Sequence, residues 1–192
     1  MLANLLSPVS AGTMSPTISQ QEYSPLFERD RLGVVSSTEY LSRGAWTESG
    51  AQFGTYENFG YAVEGFYRTD NGQQVNNDVE QRQLSGTFKA QVTPQDTVYF
   101  QVKQYDANSG DLQQYYNPTN ANPAARVNED QTPIIGLGYH HEWSPGVHTL
   151  FFAARLEDSL DVTNPTGPTL LAFAPGGTTI TSVQGVALQR CV

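Results

Sequence analysis

The chain has 192 residues, of which 38% are apolar and 15% charged, a composition that argues against a disordered chain. Nineteen Asp and Glu against ten Lys and Arg give a formal net charge of −9, which disfavours wrapping around nucleic acid, so we expect no nucleic-acid partner. The single cysteine, Cys191, excludes an internal disulfide framework and a cysteine-based zinc site.

Residues 1–33 form the first segment, which we predict to be an irregular lead-in. Pro8, Pro16 and Pro25 interrupt it between clusters of Ser and Thr, a composition typical of loops. The opening MLANLLSPVSAG has an apolar stretch without a preceding Lys or Arg and makes a poor signal peptide. Either the protein is not exported or its true beginning is missing.

From residue 34 onward the apolar residues recur with a period of two, which predicts β-strands. In residues 83–92, one set of alternate positions, including Leu84 and Phe88, is apolar or small, and the other set is polar. Such a strand separates two different environments. The alternation predicts strands, in chain order, at residues 36–42, 45–54, 59–68, 83–92, 98–103, 134–143, 147–156 and 179–189.

The connectors between these strands differ in length. They are tight at 55–58, 93–96 and 144–146, medium at 69–82, and long at 106–133 and 157–178. Alternating lengths put the tight turns on one rim of an antiparallel sheet and the long loops on the other, as in outer-membrane barrels. Ten strand residues span about 33 Å, or about 25 Å after tilting, which matches the apolar band of such a barrel. We therefore predict an all-β fold, an antiparallel meander that forms a partial transmembrane β-barrel over residues 34–192.

Three segments carry a resemblance to a known family. They are GYAVEGFYRTDNGQ at 60–73, QLSGTFKAQVTPQDTVYFQVKQYD at 83–106 and IIGLGYHHEWSPGVHTLFFAARLED at 134–158. Their strand and turn style resembles Gram-negative outer-membrane barrels, and most of all the TonB-dependent receptors. The resemblance implies a place in the cell outer membrane, contact with its lipid, and TonB-driven, plug-gated uptake of an unknown small solute.

A receptor of this type holds an N-terminal plug inside a barrel of about 22 strands, so the resemblance implies that this chain is a segment of one. No plug domain or TonB box is identifiable, and contact with either would run through missing parts of the chain. The sequence ends at Gln189-Arg190-Cys191-Val192 without the terminal aromatic residue usual in bacterial barrels, which also favours a fragment.

Two alternatives stay open. A passive porin or small structural outer-membrane barrel is compatible with a chain of this length, because eight strands can close a barrel. A soluble β-sandwich that binds carbohydrate through its Tyr- and Asn-rich loops has the same period-two pattern. Extraction only by detergent, with heat-modifiable mobility, would favour a barrel, whereas a soluble monomer would favour the sandwich.

The two faces of the strands define the first set of candidate site residues. The predicted lumen-facing residues are Glu64, Arg68, Gln83, Ser85, Lys89, Gln91, Gln101 and Lys103. The predicted lipid-facing residues are Val63, Leu84, Phe88, Val92, Val98, Phe100 and Val102. In the long connector, aromatic and amide side chains suit contacts with a sugar or a chelate. The predicted ligand contacts there are Asp111, Tyr115 and Tyr116.

We expect no enzymatic activity, no cofactor and no metal site. Neighbouring strand residues point to opposite faces, so His140 and His141 cannot share a metal without a bulge, although antiparallel pairing brings His148 near Glu142 or His141. No Gly-x-Ser-x-Gly elbow occurs. Acidic residues gather in or beside the connectors, and we interpret them as solvated charge and not as a calcium site. They are Asp70, Asp78, Asp106, Asp111, Glu129, Asp130, Glu157, Asp158 and Asp161.

Overall fold

The protein folds into a single antiparallel sheet, which confirms the predicted all-β meander. The computed structural model describes Leu5, residues 31–164 and residues 186–191. The strands are β1 (Arg31–Leu41), β2 (Ala45–Tyr56), β3 (Phe59–Asp70), β4 (Val79–Gln91), β5 (Asp96–Ser109), β6 (Arg126–Ser144), β7 (Val147–Thr163) and β8 (Val186–Cys191). Short 3-10 turns lie at Ser42–Gly44 and Pro118–Asn120.

Each strand pairs with its neighbours in the chain, in the order β1 to β8. Within the described ranges no pairing joins β1 to β8, so the sheet is open, as in a partial barrel. All eight strands belong to this one sheet, whereas the sandwich alternative requires two. In the described part of the chain, no helix is long and apolar enough to cross a membrane.

The connectors separate into two rims. Residues 57–58, 92–95 and 145–146 join strands at one end of the sheet, which we call the turn rim. Residues 42–44, 71–78 and 110–125 join strands at the other end, the loop rim. Among the connectors that the structure describes in full, the predicted alternation fails at Ser42–Gly44, where three residues connect β1 to β2 on the loop rim.

The strands extend further toward the loop rim than predicted. β5 continues to Ser109, β6 already begins at Arg126 and β7 continues to Thr163. The connector predicted at 106–133 is therefore too long at both ends, and the one predicted at 157–178 begins too early. Acidic residues such as Asp106 and Asp130 were the reason to predict a loop here, but the two residues pair with each other on neighbouring strands. Charge is compatible with a strand wherever both faces of the sheet meet water.

Other boundaries differ by less. β1 begins at Arg31, inside the segment predicted as irregular lead-in, whose remaining residues other than Leu5 lie outside the described ranges. The strand predicted at 179–189 overlaps β8, and residues 165–185 also lie outside those ranges. A register shift between Thr132 and Ile135 surrounds Pro133, which has no backbone N–H to donate to a neighbouring strand.

Candidate functional site: the polar face and the loop rim

Strand register divides the sheet into two chemically different faces. Glu64 lies opposite Ser85, and Ser85 lies opposite Lys103, so these three side chains share one face, which we call the polar face. The same register puts all eight predicted lumen-facing residues on the polar face. The opposite, apolar face carries the predicted lipid-facing residues of the strands, and Val92 follows directly after β4.

Burial is reversed relative to a water-soluble sheet. On the polar face, Lys89 is 1% exposed and Thr87 4% exposed. On the apolar face, Leu84 is 60% exposed and Leu137 52% exposed. A soluble sheet buries its apolar face and solvates its polar one, so this sheet has the opposite arrangement.

The centre of the polar face combines polar groups with small residues. The Ser85 hydroxyl donates to the Glu64 carboxylate at 3.1 Å. In the described part of the structure, the side-chain oxygen of Gln101 in this region and that of Thr55, beside the turn rim, are buried without a hydrogen-bond partner. A buried oxygen in this state is suited to a water molecule or a polar solute.

Two glycines of β6 open space on the same face. A Cβ atom at Gly136 would lie 3.1 Å from the Phe152 ring. At Gly138 it would lie 2.6 Å from Cδ1 of Leu5, a fully buried side chain. Gly138 pairs with Tyr99 in register, so Leu5 packs against the polar face at the place where β6 has no side chain.

The apolar face carries a continuous aromatic row across three strands. The ring centroids of Phe59 and Phe88 are 6.3 Å apart, and those of Phe88 and Phe100 are 6.0 Å apart. Toward the loop rim the same face becomes polar, with Arg82 bonded to Glu80 at 2.5 Å. The apolar side chains therefore form a band between the two rims.

Toward the turn rim the band ends in a cluster of aromatic and polar side chains. Asp96 accepts from the Tyr139 hydroxyl at 2.6 Å and lies 2.7 Å from Nδ1 of His141. The Trp143 ring packs edge-on against His141, and its Nε1 donates to Thr149 at 3.0 Å. This cluster couples the turn between β4 and β5 to the turn between β6 and β7.

The histidines divide between the faces as predicted. His140 lies on the polar face, where its Nε2 is 3.0 Å from Nδ1 of His148, whereas His141 lies on the apolar face. His148 pairs with Glu142 in register, but its side-chain hydrogen bond is to His140. Among the residues that the structure describes, no three His, Cys, Asp or Glu side chains are arranged to hold a metal ion.

Two of the three predicted loop contacts come together at the loop rim. Asp111 is 7% exposed and accepts from the Tyr115 hydroxyl at 2.8 Å and from the backbone N–H groups of Asn122 and Gln113 at 2.9 and 3.1 Å. Burial alone would raise the pKa of Asp111, but these three hydrogen bonds hold it below its usual value. Tyr116 is fully exposed and lies apart from this group.

Sequence reasoning missed the residue that joins the two loops of this rim. Asn76, in the 71–78 loop, donates from Nδ2 to the carbonyls of Asn122 and Ala125 at 2.8 and 2.7 Å. Its φ of +58° is a left-handed conformation that Asn tolerates better than most residues. In the sequence, the adjacent residues Asn76 and Asn77 were the one sign of such a role, but the carbonyl groups that Asn76 contacts lie 46 and 49 residues away.

A cavity of about 670 Å³, which we call the rim cavity, lies beside this group. It is lined by the ends of β5, β6 and β7 and by the 110–125 loop, with Leu112, Tyr115 and Asn122 among its walls. Ser109, Val127 and Val162 contribute from the polar face. The cavity therefore continues the polar face at its loop-rim end.

Comparison of the chain with protein-family models, with curated proteins and with solved structures finds no match.

Proposed function

We propose that the protein is a segment of a Gram-negative outer-membrane β-barrel that takes part in the uptake of a small solute. The apolar face would contact outer-membrane lipid and the polar face would line the passage. The observation that carries this proposal is the reversed burial of the two faces. Exposing side chains such as Leu84, Leu137 and Phe151 to water forfeits about 25 cal/mol for each Å² of apolar surface, whereas lipid removes this cost.

The dimensions of the apolar band support the same proposal. On β3 the apolar-face positions run from Phe59 to Tyr67. This distance is about 26 Å along the strand, or about 20 Å across a membrane at a tilt of about 40°, close to the roughly 25 Å band of known barrels. Trp143 and Tyr139 at the turn rim correspond to the aromatic girdle at a membrane surface.

The polar face supports a passage for water or a polar solute. It carries both lysines of the chain, Lys89 and Lys103, together with Glu64 and buried amide and hydroxyl groups. A lipid-facing surface would not hold these charges, since Lys at the bilayer midplane costs about 2–4 kcal/mol. A plug domain packed against the polar face would also provide partners for these charged and polar groups, and a TonB-dependent receptor contains such a domain.

Fractionation tests the membrane assignment. We expect the protein expressed from its whole gene to stay in the membrane pellet in high salt, to be released by detergent, and to migrate differently before and after boiling. A soluble monomer without heat-modifiable mobility would overturn the proposal.

We further propose, from the family resemblance, that the uptake is plug-gated and TonB-driven. Vesicles that carry the whole gene product should then resist swelling in isotonic stachyose, because the passage is closed at rest. Rapid swelling would contradict gating and favour a passive porin.

A further inference from the structure

We propose that the rim cavity binds a neutral oligosaccharide. This inference rests on the proposed function and adds to it the chemical class of the solute that first contacts the protein. The cavity volume of about 670 Å³ lies within the range of about 300–1,000 Å³ typical of small-molecule sites. Its position at the loop-rim end of the polar face puts it at the entrance of the proposed passage.

The residues that line the cavity favour a neutral ligand over a charged one. Among the described residues that line the cavity, Asp111 is the one carboxylate, and there is no Lys, Arg or His. The three donors from Tyr115, Asn122 and Gln113 already occupy the Asp111 carboxylate, which is almost completely buried. An anionic solute would lose hydration at this site without gaining an opposite charge, and a cationic solute would meet only a carboxylate that three hydrogen bonds already satisfy.

The uncharged lining matches the two surfaces of a sugar. Leu112, Tyr115 and Val162 provide apolar and aromatic area for the C–H faces of pyranose rings. Amide side chains such as Gln113 and Asn164 provide donors and acceptors for hydroxyl groups. A purely apolar ligand would leave these amides desolvated, which is unfavourable.

The cavity is held in shape before any ligand arrives. Asn76 bonds the backbone on both sides of the 122–125 segment, and Asn77 donates from Nδ2 to the Asp111 carbonyl at 2.7 Å. Arg126, at the start of β6, is bonded to Asp78 at 2.7 Å. Such preorganisation lowers the ordering cost of binding.

Titration calorimetry on the detergent-solubilised chain tests the inference, with maltotriose, cellotriose and chitotriose as neutral probes and citrate as the anionic one. At least one trisaccharide should bind and citrate should not. Tyr115→Ala should weaken that binding about tenfold, because it removes the ring that forms a wall of the cavity. Tyr116→Ala is the matched control and should leave affinity unchanged, since Tyr116 lies outside the cavity.

A second variant separates loss of the site from disruption of the loop. Val162→Phe enlarges a side chain that lines the cavity from β7 and changes no residue of the 110–125 loop, so it should abolish trisaccharide binding while protease resistance of that loop is retained. Absence of trisaccharide binding, preferential binding of citrate, or equal effects of Tyr115→Ala and Tyr116→Ala would overturn the inference. Because fractionation is measured independently, a membrane protein that binds no trisaccharide would leave the barrel proposal intact.

Discussion

Phe100 and Gln101 are neighbours on β5 and both are partly exposed, but they lie on opposite faces of the sheet. In a water-soluble protein, an Arg at either partly exposed position has a modest effect. In a bilayer, only the position on the apolar face meets hydrocarbon.

From the proposed contact of the apolar face with lipid, we predict that Phe100→Arg destabilises the protein by about 2–4 kcal/mol, whereas Gln101→Arg costs far less, because Arg near a bilayer midplane loses its hydration. Urea unfolding in lipid vesicles measures both free energies. Equal losses for the two variants would contradict the assignment of the apolar face to lipid.

Asp111 leads to a prediction about pH. Its pKa is depressed in the folded protein, so its carboxylate contributes stability above its unfolded pKa, about 3.9, and this contribution is lost as pH falls through the folded value. We expect proteolysis of the 110–125 loop to accelerate below about pH 4.

Asp111→Asn provides the control for this prediction. The amide leaves one of the three donors without an acceptor, which costs about 1–3 kcal/mol, so the loop should already be protease-sensitive at neutral pH. Its residual sensitivity should no longer increase in acid. A wild-type loop that is equally resistant at pH 3 and pH 7 would contradict the role of the carboxylate.

At the scale of strands and loops, the sequence pattern predicts which side chains share a face but not where the strands end. Period-two alternation predicts which side chains share a face, because this depends only on neighbouring residues of one strand. It does not predict where β5 and β6 end, because Asp106 and Asp130 are as acceptable on a solvated strand as in a loop. Strand ends on the loop rim depend on cross-strand pairing between distant residues.

The same limit applies to the loop rim. Asp111 and Tyr115 are four residues apart, and their aromatic and acidic character predicted a site. Asn76 joins that site through hydrogen bonds to a loop on the far side of β4 and β5, and no local pattern predicts such a contact.

Asn76 allows the effect of backbone conformation to be separated from that of hydrogen bonding. Asn76→Gly keeps access to the left-handed conformation but loses both side-chain hydrogen bonds, whereas Asn76→Ala loses both bonds and adds strain. Hydrogen exchange in the 110–125 loop should therefore increase for Asn76→Gly and increase further for Asn76→Ala. Unchanged exchange in both variants would contradict a joint between the two loops.

Leu5 and Gly138 provide a test of packing between the Leu5 side chain and β6. Gly138→Ala should destabilise the protein by about 1–3 kcal/mol, because the new methyl group overlaps Leu5 and approaches Cβ of Tyr99 at 3.2 Å. In a Leu5→Ala background the same change should cost less. A double-mutant cycle with no coupling energy would contradict this contact.

At the scale of the whole molecule, the described sheet has two open edges. β1 pairs only with β2, and β8 pairs only with β7, within the described chain. The β1 sequence RLGVVSSTEYL contains neither Pro nor Lys, the residues that commonly protect an edge from pairing.

We predict that the 192-residue chain by itself self-associates in detergent, through edge pairing. Sedimentation velocity over a range of protein concentrations should detect oligomers that grow with concentration. A monomer at every concentration would indicate that the edges are already covered.

The distribution of lysine has a practical consequence. Lys89 is almost completely buried and Lys103 is half-buried, and they are the two lysines of the 192-residue sequence. An acylating reagent with a fluorescent tag should therefore modify Lys103 readily and Lys89 slowly. The ratio of the two modified peptides, measured by mass spectrometry, would report changes in the accessibility of Lys89 relative to that of Lys103.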